Sequence, residues 1–260
     1  NTATIDPLQV ALNATRNASY TAQTLGALFV PATSAGHVLT TPLIVFPHDT
    51  IMGVGAPNLY NTGQSRVTST WTDNRLATVM IFSAAARING IEVFGSGHAM
   101  MILSGMGTKG EQHFLHYNTI KSNDTTSTFS GLVIIGVAYD QYFDRNFIQG
   151  SKAVVEFRNV AGGLRYFNGG RWNTTKHMVL SDGAVTDPDN GVNDAGFPNG
   201  SSFWMRDIRT ELGNGILFDI PNFLATLEDC EIADVVPAGG TDSVMKIGQN
   251  ANGGGSRPTG

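Results

Sequence analysis

Four carboxylates stand in strand-like runs where they have the chemistry of acids, bases or nucleophiles. They are Asp144 in "FDRNFIQ", Glu156 in "AVVEFRNV", Asp207 in "WMRDIRTE" and Asp219 in "GILFDI". Acid–base cleavage of a glycosidic bond needs two carboxylates on one face, one of them with a raised pKa. Alternation along a strand turns Val155 and Phe157 inward and Glu156 and Arg158 outward together. It turns Asn146 and Ile148 inward and Arg145 outward, with Asp144 at a bend. Asp207 and Arg209 flank an inward Ile208, and Asp219 lies between inward Phe218 and Ile220. Because these runs are nearly consecutive, Asp144, Glu156, Asp207 and Asp219 are expected to share a face as the catalytic candidates. Arg158 and Arg209 are candidates for substrate binding. So are Tyr142, Trp172 and Trp204, aromatic residues that recur near the starts of these runs and suit stacking on sugars. Plainer roles compete with each of these. Outward Glu–Arg neighbours on strands commonly form solvated cross-strand pairs, and aromatic residues also wedge loops against the body of a fold. No fixed-spacing motif singles out any one carboxylate.

The longest turn-rich stretch is "SDGAVTDPDNGVNDAGFPNGS", Ser181 to Ser201. Asp187, Asp189 and Asp194 in it are hard oxygen ligands of the kind Ca²⁺ takes. The order departs from an EF-hand: Gly191 sits where a third ligand belongs and the closing Glu is missing. A solvated loop, or one touching a neighbouring subunit, is the alternative. The chain calls for no other cofactor. His113 and His116 lack a third ligand nearby for zinc. There is no glycine-rich phosphate loop and no serine nucleophile elbow.

The elements that must position these residues are strands. Runs such as "ALFVP", "LIVF", "TVMIF", "GLVIIGVA" and "KHMVLSDG" are rich in β-branched residues and end at Gly, Pro or Asn. The one convincing helix is "IDPLQVALNATRNA". Asp6 is placed as N-cap, Pro7 at the first helical position, and Leu8, Ala11 and Leu12 as one apolar stripe. A repeat organises the strands. Asn89 precedes Ile91, Asn118 precedes Ile120 and Asn146 precedes Ile148, each pair being followed by a second apolar run. That pattern predicts a parallel β-helix, in which equivalent Ile residues form an internal column and each Asn bonds its neighbours above and below at a bend. Asn-Gly pairs at Asn89, Asn168, Asn190 and Asn199 keep a hairpin-built sandwich open.

The N-terminal order of elements resembles the right-handed β-helix proteins of the pectate lyase superfamily, in particular the pectate-lyase-3-like group with its phage tailspikes and polysaccharide-degrading enzymes. The residues that carry the resemblance are "PLQVALNA", "ALFVPA", "HVLTTPLIVFP" and "TIMGVG". The Gly-x-Tyr usual after the first Pro is replaced by "ATSAGHV". The resemblance implies an all-β, single-stranded right-handed parallel β-helix with an N-terminal capping α-helix. Residues 1–25 are expected to hold the cap, 26–248 the β-helix and 249–260 a Gly-rich tail or linker. Lyases of this resemblance use an Arg base and calcium-binding carboxylates.

Composition bounds the function. In 260 residues, 41% are hydrophobic and only 14% charged, about half the usual charged share. With 31 Gly this suits a β-rich extracellular or virion protein. The net charge of −5 and the lack of a basic block argue against nucleic acid as a partner. No run is apolar for long enough to predict a membrane span. One cysteine, Cys230, rules out an intrachain disulfide, and its strand-like setting predicts a packed thiol. The opening "NTATIDPLQV" is expected to belong to a longer or processed chain, and the uncapped C-terminal end to meet further residues or a partner. Three readings stay open. One is a tailspike-type virion protein, homotrimeric or joined to other virion subunits, that binds cell-surface polysaccharide with or without depolymerising it. The others are a secreted polysaccharide lyase or glycoside hydrolase, and a purely structural virion or decoration protein.

Overall fold

The computed structural model describes residues 5–16, 26–55, 64–82, 85–104, 113–137, 141–161, 164–174, 176–182, 201–211, 213–214, 218–220, 223–232, 235–236 and 245–247. Among them are one helix and twenty-three strands, and all strand pairs are parallel. The fold is therefore all-β with parallel sheets.

The strands fall into three rows, which the chain visits in turn. The first row is β1 (Ala27–Val30), β4 (Thr50–Gly53), β7 (Arg87–Asn89) and β10 (His113–His116). The second is β2 (His37–Val38), β5 (Arg66–Ser69), β8 (Glu92–Gly95) and β11 (Thr119–Ser122). Both rows run into the single long strand β13 (Gln141–Gly150). The merged row continues through β15 (Leu164–Thr174) and β17 (Ser201–Glu211), then divides again into β20 (Phe223–Glu228) and β21 (Glu231–Ile232). The third row is a separate sheet of β3 (Leu43–Val45), β6 (Ala77–Phe82), β9 (His98–Ser104), β12 (Leu132–Val137), β14 (Ala153–Ala161), β16 (His177–Asp182), β19 (Phe218–Ile220) and β23 (Met245–Ile247). β18 (Gly213–Asn214) and β22 (Val235–Val236) form a small third sheet.

Register builds the core. Leu28, Ile51, Ile88, Leu115, Phe143, Phe167 and Met205 align strand to strand, and all are buried. Burying each such side chain contributes about 1.5–3 kcal/mol. Facing them across the interior are Leu43, Val79, Met100, Leu132, Val155 and Phe218. Val93, Ile120, Ile148 and Trp172 make a further aligned column. The expected apolar column thus holds for Ile120 and Ile148. Ile91 is also inside, 1% exposed, but it stands in the column of Asn118 and Asn146, two positions earlier.

That column closes a bend. Tyr117, Arg145 and Asp207 have φ of 53°, 51° and 53°, and Gly90 and Gly169 occupy the same place at 70° and 61°. Left-handed backbone costs a non-glycine residue about 1–2 kcal/mol, so the bend must be held by other bonds. Asn118 and Asn146, just after it, are buried and bridge successive strands as the Asn-x-Ile repeat predicts. Asn89 does not take part: it is exposed and lies before the bend.

Helix α1 (Pro7–Thr15) sits against β1 and β3. Asp6 caps it, its Oδ1 accepting from Leu8 N at 2.9 Å. Leu8, Gln9 and Leu12 are its buried residues, whereas Ala11, expected in the apolar stripe, is exposed. Gln9 has a specific task. Its Nε2 donates to Ile44 O at 3.1 Å and its Oε1 accepts from Ile44 N at 2.6 Å. The side-chain amide so pairs with the free edge of β3 as a neighbouring strand would. Cys230 is a half-buried thiol packed against the core, as expected. No described helix is long and apolar enough to cross a membrane.

Candidate functional site

The outer surface of the first and merged rows carries two side-chain columns. One is Arg87, Phe114, Tyr142, Tyr166 and Trp204 on β7, β10, β13, β15 and β17. The other, two residues further along each strand, is Asn89, His116, Asp144, Asn168 and Arg206, continued by Glu228 on β20. Side chains two apart on a strand share a face about 7 Å apart, so parallel register draws out two continuous lines.

The aromatic line is tightly ordered. Phe114 and Tyr142 stack with centroids 5.3 Å apart and planes 7° from parallel. Tyr142 and Tyr166 stack at 4.8 Å and 3°. Trp204 follows at 5.9 Å, tilted by 38°, and the Arg87 guanidinium lies 5.8 Å from the Phe114 ring at the other end. In the polar line His116 Nε2 is 2.9 Å from Asp144 Oδ2, and Asn168 Nδ2 donates to Asp144 Oδ1 at 2.7 Å. Between the lines runs a groove of about 310 Å³, lined by Phe114, His116, Tyr142, Asp144, Tyr166 and Asn168. Beside it, at the bend, Arg145 donates to the Tyr117 hydroxyl and its guanidinium carbon lies 5.4 Å from that ring. The bond to Tyr117 raises the Arg145 pKa further. A channel with one aromatic and one hydrogen-bonding wall can hold an extended hydroxylated chain lying across several strands.

The four candidate carboxylates do not share a face. Asp144 and Asp207 lie on the merged row, two strands apart, with Asp144 in the groove and Asp207 at the bend. Glu156 and Asp219 lie on the other sheet, both in register with Leu180. Glu156 points away from the main core, as alternation predicts, but it is only 1% exposed. Its column mates Met80, Met101 and Val133 form a second buried apolar cluster on that outer side. A chain segment lies over this face, since Arg158 Nη1 donates to Asn74 O at 3.1 Å.

Glu156 is therefore part of a buried ionic cluster. Lys152 Nζ approaches its Oε1 at 2.5 Å, Arg158 Nε donates to the same oxygen at 2.9 Å and Ser130 Oγ donates to Oε2 at 2.5 Å. Burial pushes the carboxyl pKa up, but the Arg158 and Lys152 cations outweigh it and hold it at about 2. A general acid needs the opposite shift, and at 1% exposure the carboxylate is turned from solvent into this ionic cluster. Arg158, a candidate for substrate binding, is 5% exposed and turned to Glu156 and to His98 Nε2, 3.0 Å away. Burial, then Arg158, lowers the His98 pKa to about 4.

Of the proposed substrate contacts, Tyr142 and Trp204 are in the outer aromatic column. Trp172 is not. At 1% exposure it fills the interior edge-on to Phe167, with centroids 5.1 Å apart. Arg209 is on the surface, 3.6 Å from Glu231. Asp187, Asp189 and Asp194 lie outside the described residues. Among the described residues no three His, Cys, Asp or Glu side chains gather as a metal-ligand set.

Phe114, His116, Tyr166 and Asn168 line the groove without having stood among the binding candidates expected from the sequence. Their signal is an aromatic-x-polar triplet at each round: "FLH", "YFD", "YFN" and "WMR". No protein-family model, curated protein or solved structure matches the chain.

Proposed function

We propose that the chain winds as a right-handed parallel β-helix and binds cell-surface polysaccharide along the groove beside its aromatic column, in the manner of a phage tailspike or related receptor-binding virion protein. The winding is supported by parallel pairing of each strand with the strands one round before and after. The observation that carries the binding reading is the in-register run of Phe114, Tyr142, Tyr166 and Trp204 beside His116, Asp144 and Asn168. It offers a polymer repeated contacts along its length. The resemblance adds the expectation of a homotrimer, or assembly with other virion subunits, outside the cell.

Binding without cleavage is the favoured form. The most complete carboxylate–arginine constellation, Glu156 with Arg158, is buried and held ionised. The test is an array of purified bacterial capsular polysaccharides and lipopolysaccharides, read for retention of the protein and for new reducing ends. Retention of at least one polysaccharide, lost in Tyr142→Ala and Asn168→Ala, is the expected outcome. No retention on any, or retention unchanged in both variants, overturns it.

A further inference from the structure

The aromatic column is not uniform along its length. Phe114, Tyr142 and Tyr166 lie flat on one another, with planes within 7° of parallel, and Arg87 stands beyond Phe114. A pyranose stacks by laying its C–H face on the face of an aromatic ring. The inner rings have their faces occupied and present edges alone. At Trp204 the order changes. The indole tilts 38° from Tyr166, and its register neighbour on the far side is Thr226, exposed and too small to cover it. Trp204 Nε1 donates to Glu228 Oε2 at 3.1 Å, which fixes the tilt. Arg206 Nε lies 4.0 Å from the same oxygen, and the Arg206 and Glu228 side chains are 58% and 42% exposed. Among the described residues no ring covers the far face of the indole, which has a carboxylate and a guanidinium beside it, an acceptor and a donor for ring hydroxyls.

Resting on the polysaccharide reading, we infer that Trp204, Arg206 and Glu228 form the subsite on which one hexopyranose ring of the polymer stacks. The inner column serves as a wall that the chain follows by its edges. Ring stacking sets specificity at this end, and the groove adds length-dependent affinity.

The probe is the polysaccharide best retained on the array, cut to oligosaccharides and titrated against intrinsic tryptophan fluorescence. Trp71 and Trp172 are the other two tryptophans, and neither is in the groove. A saturable fluorescence change is expected, absent in Trp204→Phe. Trp204→Ala loses about tenfold or more in affinity, as removal of a central aromatic anchor does. Thr226→Phe loses as much although the indole remains, because a fifth ring covers its face. Glu228→Gln shifts preference among sugars. Full affinity in both Trp204→Ala and Thr226→Phe, with loss in Tyr142→Ala, overturns the subsite and leaves the polysaccharide reading standing. Absence of binding to every polysaccharide overturns both.

Discussion

Asn146 Oδ1 accepts two hydrogen bonds from Asn118, from the backbone N–H at 2.9 Å and from Nδ2 at 3.1 Å. Asn146 Nδ2 in turn donates to Leu115 O at 2.8 Å. One amide thus satisfies three groups of the preceding bend, all out of reach of water. Asn146→Ala is expected to cost about 2–4 kcal/mol, because each buried orphan costs about 1–3 kcal/mol. Chemical denaturation measures this. Asn89→Ala, at the exposed position where the same motif falls before the bend, is expected to change stability by under about 0.5 kcal/mol.

The cluster around Glu156 gives stability a stepped acid dependence. The His98 pKa falls from 6.5 to about 4 on folding, so the unfolded chain takes up that proton first. Stability present above 6.5 is lost as pH falls toward 4. The Glu156 pKa falls from 4.5 to about 2, and its contribution, full above 4.5, is lost as pH falls toward 2. Each leg is worth about 3 kcal/mol. Stability measured against pH should lose the lower leg in Glu156→Gln and the upper leg in His98→Gln. At pH 7, Glu156→Gln should also cost about 3 kcal/mol by removing the carboxylate charge that Lys152 and Arg158 face in the buried cluster.

Trp172 and Trp204 separate structure from recognition. Trp172→Ala opens a cavity beside Phe167 and is expected to cost about 3–5 kcal/mol, while Trp172→Phe folds and keeps its affinity on the polysaccharide array. Trp204→Ala should keep a near-normal denaturation midpoint and lose the affinity. Finding the reverse would exchange the roles of the two residues.

Asp124 organises the turn between β11 and β12. It accepts from Thr126 N at 2.8 Å, Thr128 N at 2.7 Å, Phe129 N at 3.0 Å and Ser151 Oγ at 2.6 Å. These bonds, with that of the Thr126 hydroxyl, overcome desolvation and hold its carboxyl far below the usual carboxylate range. Asp124→Ala should destabilise by about 2–3 kcal/mol, and hydrogen exchange at Thr128 and Phe129 should quicken more than at Ile134.

The local devices were legible in the sequence. Asp6 and Pro7 announce the helix, and the Asn-x-Ile repeat announces both the amide bridges at Asn118 and Asn146 and the Ile120–Ile148 column. What alternation conveys is the side of the strand, not what covers that side. Glu156 points outward as expected yet is buried, because residues distant in sequence come to lie over it. Trp172 and Trp204 look alike in isolation, and register alone sends one inside and the other out. The aromatic-x-polar triplets were obscured by unequal spacing, since the connections between rounds differ in length while the strands remain aligned.

That alignment has an evolutionary consequence. Each strand depends on the rounds immediately before and after it, and connection length enters nowhere in the register. A whole round can therefore be duplicated or removed with the neighbouring columns rejoining in phase, while an insertion or deletion of one residue inside a strand turns the side chains beyond it in that strand to the wrong faces and breaks its match to both neighbours. Lineages carrying this fold are expected to vary by complete rounds and by loops, lengthening or shortening the groove in units of one rung.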